Sequence, residues 1–320
     1  MKKAQSSYPR NVEEFRTFFS SEEACFLYLI CRRWPNGFQC SGCGCNNYWR
    51  TKRYILLCQN CRKPNYLTAE TLMHGSHVPL RKWFWGAYIV STLTPGISAL
   101  QLQRQLGLGS YRTAWYLLGG LRKGMVNDAR SKLSGIIEAD ETIVGGTVVG
   151  KRGRGTTADK NKSLVIGAVE VVSYVDKKGH ITERAGRIRF EIVQHADEET
   201  ISSFLDKNIE IGSTIRTDGW RGYSTTALAR YMHEVHIQQG APKRSYQHAP
   251  HIHRAFSNLK TWLTGTHHGV NPKYLQGYLD EYVFRFNRRR NPMAAFETLL
   301  GIAMSKEPLP LKQLKVASNA

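Results

Sequence analysis

Four cysteines, arranged as Cys40-x-x-Cys43 and Cys58-x-x-Cys61 with 14 residues between the pairs, constrain this chain more than any other feature. Each C-x-x-C sets two sulfurs on one tight knuckle, and two knuckles complete a tetrahedron around Zn²⁺. So short a segment has too little core to fold alone, so bound Zn²⁺ is expected to supply its folding free energy. Cys45 follows Cys43 by two residues and competes for the site with a poorer spacing. Cys25 and Cys31 precede the knuckles in a helical lead-in and are expected in the core. An odd total of seven cysteines, all in the first fifth of the chain, argues for metal in a reducing compartment and against a disulfide framework. A cytoplasmic location is expected.

Charge points to the partner. Lys and Arg number 45 against 25 Asp and Glu, a formal net charge of +20. That excess is drawn to polyanions, and for a soluble protein the usual polyanion is nucleic acid, bound through phosphate neutralisation and counterion release. No stretch approaches the roughly 20 apolar residues that span a bilayer, and no apolar run follows the basic start, so neither a membrane segment nor a signal peptide is expected. With 320 residues, 41% of them hydrophobic, the chain can bury a sizeable core, enough for one medium catalytic domain plus one or two small modules. The ribbon itself is compatible with scaffolding alone or with DNA contact.

Residues 8–34 carry an irregular apolar stripe and are expected to be helical. After the cysteine segment, Leu80, Trp83, Phe84, Ala87 and Tyr88 recur at helical spacing. Ser98 can cap a short helix to Leu106, and a Gly-containing turn feeds a second helix from Ser110 to Met125. Two helices about a tight turn are the plan of a helix-turn-helix, whose second helix enters the major groove. Tyr111, Arg112 and Thr113 would stand at its exposed N-terminal end, where base edges are read, with Leu102, Leu106, Ala114 and Leu117 holding the pair together. An ordinary helical hairpin in a core has the same periodicity.

From Gly135 the pattern becomes β-rich, with strands expected over 135–140, 164–172, 187–193 and 213–218, and a short fifth over 232–237. The segment between Gly145 and Lys162 is rich in Gly, Lys and Arg without periodicity and is expected to be a basic surface loop or hairpin. Asp140 and Asp218 stand at expected strand ends, flanked by small or turn-forming residues. Two such carboxylates at the edge of a sheet can hold two Mg²⁺ ions, one activating an attacking hydroxyl and one steadying a leaving oxygen. Either Asp alone could equally cap a strand or form an ion pair. After His253 the pattern turns helical through Leu300.

The blocks Glu138-Ala-Asp140-Glu141-Thr142 with Gly145-Gly146, and Thr217-Asp218-Gly219-Trp220-Arg221-Gly222-Tyr223, resemble the catalytic blocks of bacterial insertion-sequence transposases with an N-terminal zinc ribbon. Ser257-x-x-Lys260, Gly265-Thr-His-His268 and Tyr278-Leu-Asp-Glu281-Tyr-x-x-x-Arg285-Phe-Asn-Arg288 look like the C-terminal signature of the same family. The resemblance implies an α/β fold: a ribonuclease H-like catalytic domain, a mixed sheet with flanking helices, preceded by the ribbon and a helix-turn-helix module. It also implies cut-and-join chemistry on double-stranded DNA, at inverted terminal repeats and at a target, by two Asp and a third acid with Mg²⁺ or Mn²⁺. The first two acids carry over to Asp140 and Asp218. The third position, 35 residues after Asp218, holds His253 where the family has Glu.

Imidazole is a good ligand for Mn²⁺ and a poorer one for Mg²⁺. Three readings follow: His253 serves as third ligand or proton carrier, His251 or another neighbour takes the role, or the copy is inactive. Lys260, two helical turns after His253, is placed to contact the phosphate beside the scissile bond. Glu281, Arg285 and Arg288 form one helical stripe, with Glu281 supporting and Arg285 and Arg288 aimed at DNA or the core. Trp220 and Trp262 are candidates for stacking on a flipped base, with core packing the alternative. The expected division is a lead-in and zinc ribbon over 1–75, the helix-turn-helix module over 76–130, the catalytic domain over 131–305 and a flexible tail over 306–320. Synapsis of two DNA ends calls for a homodimer or larger assembly. Two rival classes remain: a non-enzymatic zinc-dependent DNA-binding regulator, and a metal-dependent nuclease that hydrolyses without joining.

Overall fold

The computed structural model describes residues 8–145, 162–235 and 249–309. Most of the basic segment expected as a surface loop, the end of the expected fifth strand and the tail from residue 310 lie outside the described residues. The chain forms two compact units, one from residues up to 127 together with those from 288 onward, the other from residues 128–287.

The first unit begins with two helices where the sequence suggested one stretch. α1 spans Val12–Phe18 and α2 spans Glu22–Arg33. The break falls where Ser21 turns to extended backbone and accepts the Ala24 N–H, so an N-cap restarts the helix. On α2, Cys25 is buried as expected but Cys31 is exposed, because six residues of helix rotate it to another face. A three-stranded antiparallel ribbon follows, β1 (Tyr48–Arg50), β2 (Ile55–Cys58) and β3 (Pro64–Tyr66). Three helices come next: α3 (Leu80–Thr92), α4 (Ala99–Leu106) and α5 (Tyr111–Gly124). Ser98 and Ser110 cap α4 and α5 through the N–H groups of Gln101 and Thr113.

The last helix, α9 (Pro292–Ser305), belongs to this first unit. The expected catalytic domain ran to residue 305, so its final segment is reassigned. The physical reason is the apolar face of Ala295, Phe296, Leu299, Leu300 and Ala303, which packs on α3, α5 and α2. Phe296 lies 5.7, 5.6, 6.0 and 5.9 Å from the rings of Phe15, Phe19, Phe84 and Tyr88, closing an aromatic core.

The second unit is a five-stranded mixed sheet of β4 (Ile136–Gly145), β5 (Lys162–Val175), β6 (Ile181–Val193), β7 (Thr214–Thr217) and β8 (Met232–Val235), in spatial order β6-β5-β4-β7-β8. The β6-β5-β4 pairings are antiparallel and the β4-β7-β8 pairings parallel. This is the mixed, helix-flanked sheet that the ribonuclease H-like reading requires. β5 and β6 run longer than expected because they continue as a solvated hairpin with no core-facing periodicity, in which even Val175 and Ile181 are exposed. β4 also continues past Asp140, which is a mid-strand residue and not a strand end.

Each face of the sheet has its own core. Ile137, Ala139, Ile166, Ala168 and Ile215 pack with α6 (Glu198–Asn208) on one face. Val144, Val165, Val169, Ile188 and Phe190 pack with α7 (Pro250–His267) and α8 (Leu275–Asn287) on the other. Gly167 lets α7 come close: a Cβ there would sit 2.7 Å from ring atoms of both Phe190 and Phe256. The free edge of β6 is covered by side chains. Asn287 accepts the Ile188 N–H and Gln276 accepts the Ile192 N–H.

Candidate active site

Strand register brings the two expected aspartates together. β4 and β7 run parallel with Glu138 opposite Arg216, so Asp140 and Asp218 each lie two residues further along neighbouring strands. Pleating then sorts the acids of β4 by face. Ile137 and Ala139 point to the α6 core and Val144 to the α7 core, so Glu138 and Asp140 face α7 while Glu141 faces the other side.

His253 meets Asp140 from the first turns of α7, with Nδ1 3.4 Å from Oδ2. His251, the alternative for this role, is buried in the first turn of α7, and burial holds its pKa below the usual range. Asp140 itself is only 14% exposed along its side chain. Burial raises its pKa, His253 pulls it back down, and the Asp218 charge pushes it up again. Lys260, two turns beyond His253, is exposed at its outer end and close enough for Asp140 to act on its ammonium.

The loop carrying Asp218 is held at both ends. Thr217 Oγ1 accepts the Gly219 N–H and lies 2.9 Å from His233 Nε2, while Asp218 Oδ1 accepts the Trp220 N–H. Gly219 takes φ +81°, a left-handed conformation that favours glycine. Trp220 Nε1 donates to the Ala196 carbonyl, and Trp262 is buried under α8, so both tryptophans take the packing role.

Sequence reasoning did not single out Glu138, Glu141 or Tyr223. Burial, then the charges of Asp140 and Asp218, push Glu141 up to about 8. Its Oε1 is buried without a hydrogen-bond partner among the described residues. The Tyr223 hydroxyl is buried beside the three acids, and its pKa is raised well above the usual value by burial first and Glu141 second. The signal was present in strand alternation, which puts i and i+2 on one face, but it becomes readable only once the full length of β4 is known. Two carboxylates and an imidazole are the oxygen and nitrogen donors that divalent cations take, while among the described residues the group whose ligand atoms already lie within 4.8 Å of one another is that of the four cysteines.

In the first unit, the sulfurs of Cys40, Cys43, Cys58 and Cys61 all lie within 4.8 Å of one another. Cys40–Cys61 is 3.6 Å and Cys43–Cys58 is 3.5 Å. Zinc–sulfur bonds of about 2.3 Å at tetrahedral angles put sulfurs about 3.8 Å apart, so the cluster fits Zn²⁺. Cys40 Sγ accepts the Gly42 N–H at 3.4 Å, and such backbone donors favour the thiolates of Cys40 and Cys43, whose proximity in turn raises the pKa of Cys58 and Cys61 in the metal-free cluster. Cys45 stands outside, accepting the Asn47 N–H.

The remaining candidates divide. Tyr111 and Arg112 are exposed at the start of α5, Thr113 is half-buried, and Leu102, Leu106, Ala114 and Leu117 are buried between the helices. Glu281 is fully buried and its Oε1 lies 3.4 Å from Arg285 Nε. Arg285 is not the outward-facing residue that a DNA contact requires. Its side chain is 10% exposed and its guanidinium lies 4.8 Å from the Trp262 ring centroid, so the pair belongs to packing. Burial lowers the pKa of Arg288.

Residues 132–287, the span that holds every one of the acids above, match the model of the ISXO2-like transposase domain, and residues 20–64 match that of the transposase zinc-ribbon domain. The chain belongs to the insertion-sequence transposases with an N-terminal zinc ribbon. Over 310 residues, 90% of this chain and 99% of the relative, this family member is 25% identical to a Halobacterium salinarum protein described as "Uncharacterized protein in transposable element ISH50". No solved structure matches it. Among the described residues of this family member, no helix is long and apolar enough to cross a membrane.

Proposed function

We propose that the chain cleaves double-stranded DNA at the inverted terminal repeats of its element and joins the ends to target DNA, using a divalent metal held by Asp140, Asp218 and His253. The observation that carries this reading is the meeting of Asp140 and His253 at 3.4 Å beside the Asp218 loop, inside the transposase domain. A bound Mn²⁺ or Mg²⁺ would supply activation of the attacking hydroxyl and stabilisation of the leaving oxygen. The protein's own groups orient and neutralise. Asp140 and Asp218 set the charge of the site, His253 completes the donor set, and Lys260 reaches the phosphate next to the scissile bond. Tyr111, Arg112 and Thr113 at the start of α5 read base edges, and Arg288 contributes positive charge. Arg285 is left out because its guanidinium is engaged by Glu281 and Trp262. Two copies, at least, hold two ends in one assembly in the cytoplasm.

The test is strand transfer with labelled duplexes carrying the terminal sequences that flank the reading frame, in Mg²⁺ and in Mn²⁺. Asp140→Asn is expected to cut joining on the order of a thousandfold, the scale of losing one preorganised charge partner of a transition state. His253→Ala should lose joining in both metals, and His253→Glu should recover it with preference moved toward Mg²⁺. Joining that survives His253→Ala would assign the third role elsewhere. Tight binding of the ends with no chemistry in either metal would make the chain a DNA-binding regulator, and cutting without joining would make it a nuclease.

A further inference from the structure

Helix α7 starts without a cap of its own. Ala249 at the N-cap position has no side-chain oxygen, and Pro250 at the first helical position has no N–H, so the next amides need an acceptor from elsewhere. That acceptor comes from the sheet. Glu138 Oε2 receives the His251 N–H at 2.8 Å and the Ile252 N–H at 2.9 Å. Glu138 is 1% exposed, so no water competes for these bonds. A buried carboxylate at the positive end of a helix, with two backbone donors, is a strong and directional contact.

Glu138 and Asp140 share the α7-facing side of β4, two residues apart. The amides that Glu138 holds are those of the residues just before His253. One strand thus grips the helix with one carboxylate and meets its imidazole with the next. We propose that Glu138 is a positioning residue that clamps the start of α7 to β4 and thereby sets His253 against Asp140. This rests on the metal-site reading above for its consequence in catalysis, but the clamp itself exists without metal.

The consequence is geometric. The gap between Asp140 and His253 depends on both the rise and the rotation of the first turn of α7. With Glu138 removed, its two amide ties are lost and the apolar seam of Ile252, Ala255 and Phe256 is left, which fixes the helix against the sheet but not the register of its first turn. Supports of this kind around metal-binding side chains cost on the order of 10–100-fold in metal affinity when lost.

The experiment uses the full chain with Glu138→Ala and Glu138→Gln. The Gln variant keeps an oxygen that can accept both N–H groups and removes only the charge. In protein treated to leave the catalytic centre metal-free but the ribbon zinc-loaded, amide hydrogen exchange is read at His251 and Ile252. Exchange there should rise about tenfold or more in Glu138→Ala, with Leu259 and Leu263 unchanged, and stay near wild type in Glu138→Gln. With Mn²⁺ added, electron spin-echo modulation should show ¹⁴N coupling from His253 in wild type and in Glu138→Gln. Glu138→Ala should lose that coupling and bind Mn²⁺ on the order of tenfold more weakly.

Unchanged exchange at His251 and Ile252 in Glu138→Ala would overturn the clamp, as would ¹⁴N coupling that persists in that variant. Equal damage from Gln and Ala would also overturn it, because charge and not hydrogen bonding would then be the active property. Absence of ¹⁴N coupling in the wild type itself would refute ligation by His253, with coupling in His253→Ala as the control, and amide exchange alone would then decide the clamp.

Discussion

Glu138 and Glu141 sit on the same strand and face opposite ways, yet burial acts on both in one direction. Glu138 is pushed up to about 7 although two N–H groups favour its charge, and Glu141 up to about 8, from an ordinary value of 4.5. In metal-free protein each therefore binds its proton more tightly folded than unfolded. Between about pH 4.5 and 8 the native state holds more protons, so the stability from these groups falls as pH rises and levels off above 8. Urea unfolding at pH 5, 6, 7 and 8 should show a shallower decline in Glu141→Gln than in wild type, with the variant the more stable of the two at pH 8. Parallel curves would mean that Glu141 titrates normally. Metal saturation should flatten the wild-type curve, since a cation holds the carboxylates charged.

The helices and strands were legible in the sequence to different depths. Asp140, Asp218 and His253 could be picked out because motif and spacing carry local chemistry, and Ser98 announced its helix through capping. The extent of β4 was hidden because Glu141, Thr142 and Ile143 are all half-buried and give no alternation that would mark a continuing strand. Arg285 was legible as the partner of Glu281, but nothing local predicts that Trp262, on another helix, closes over its guanidinium. For α4 and α5, the buried Leu102, Leu106, Ala114 and Leu117 match the expected seam, while the use of the exposed end is a question for binding. Arg112→Ala should weaken binding to terminal-repeat duplexes. If Arg112 contacts a phosphate, the slope of log affinity against log salt should also fall by about one. A base contact would instead relax sequence preference, and no change in either would make the pair an ordinary hairpin.

The chain leaves its first unit at residue 127, builds the second, and returns at residue 288 to finish the first. Sequence periodicity shows that α9 has an apolar face but not which partner it meets, and so this return was not foreseen. Phe296 is the test. It is fully buried among Phe15, Phe19, Phe84 and Tyr88, so Phe296→Ala should cost about 3–5 kcal/mol. The loss should appear in thermal unfolding of the first unit, monitored through its tryptophans Trp34, Trp49, Trp83, Trp85 and Trp115, ahead of any change in the sheet.

The late arrival of α9 also orders events during synthesis. At about 5–20 residues per second, the second unit takes on the order of ten seconds to emerge from the ribosome. Throughout that interval the aromatic core of the first unit lacks the ring that closes it. A nascent or prematurely terminated chain is then unable to present a finished first unit, whatever that unit binds. Fragments broken off before α9 should accordingly be poor competitors of the full-length protein.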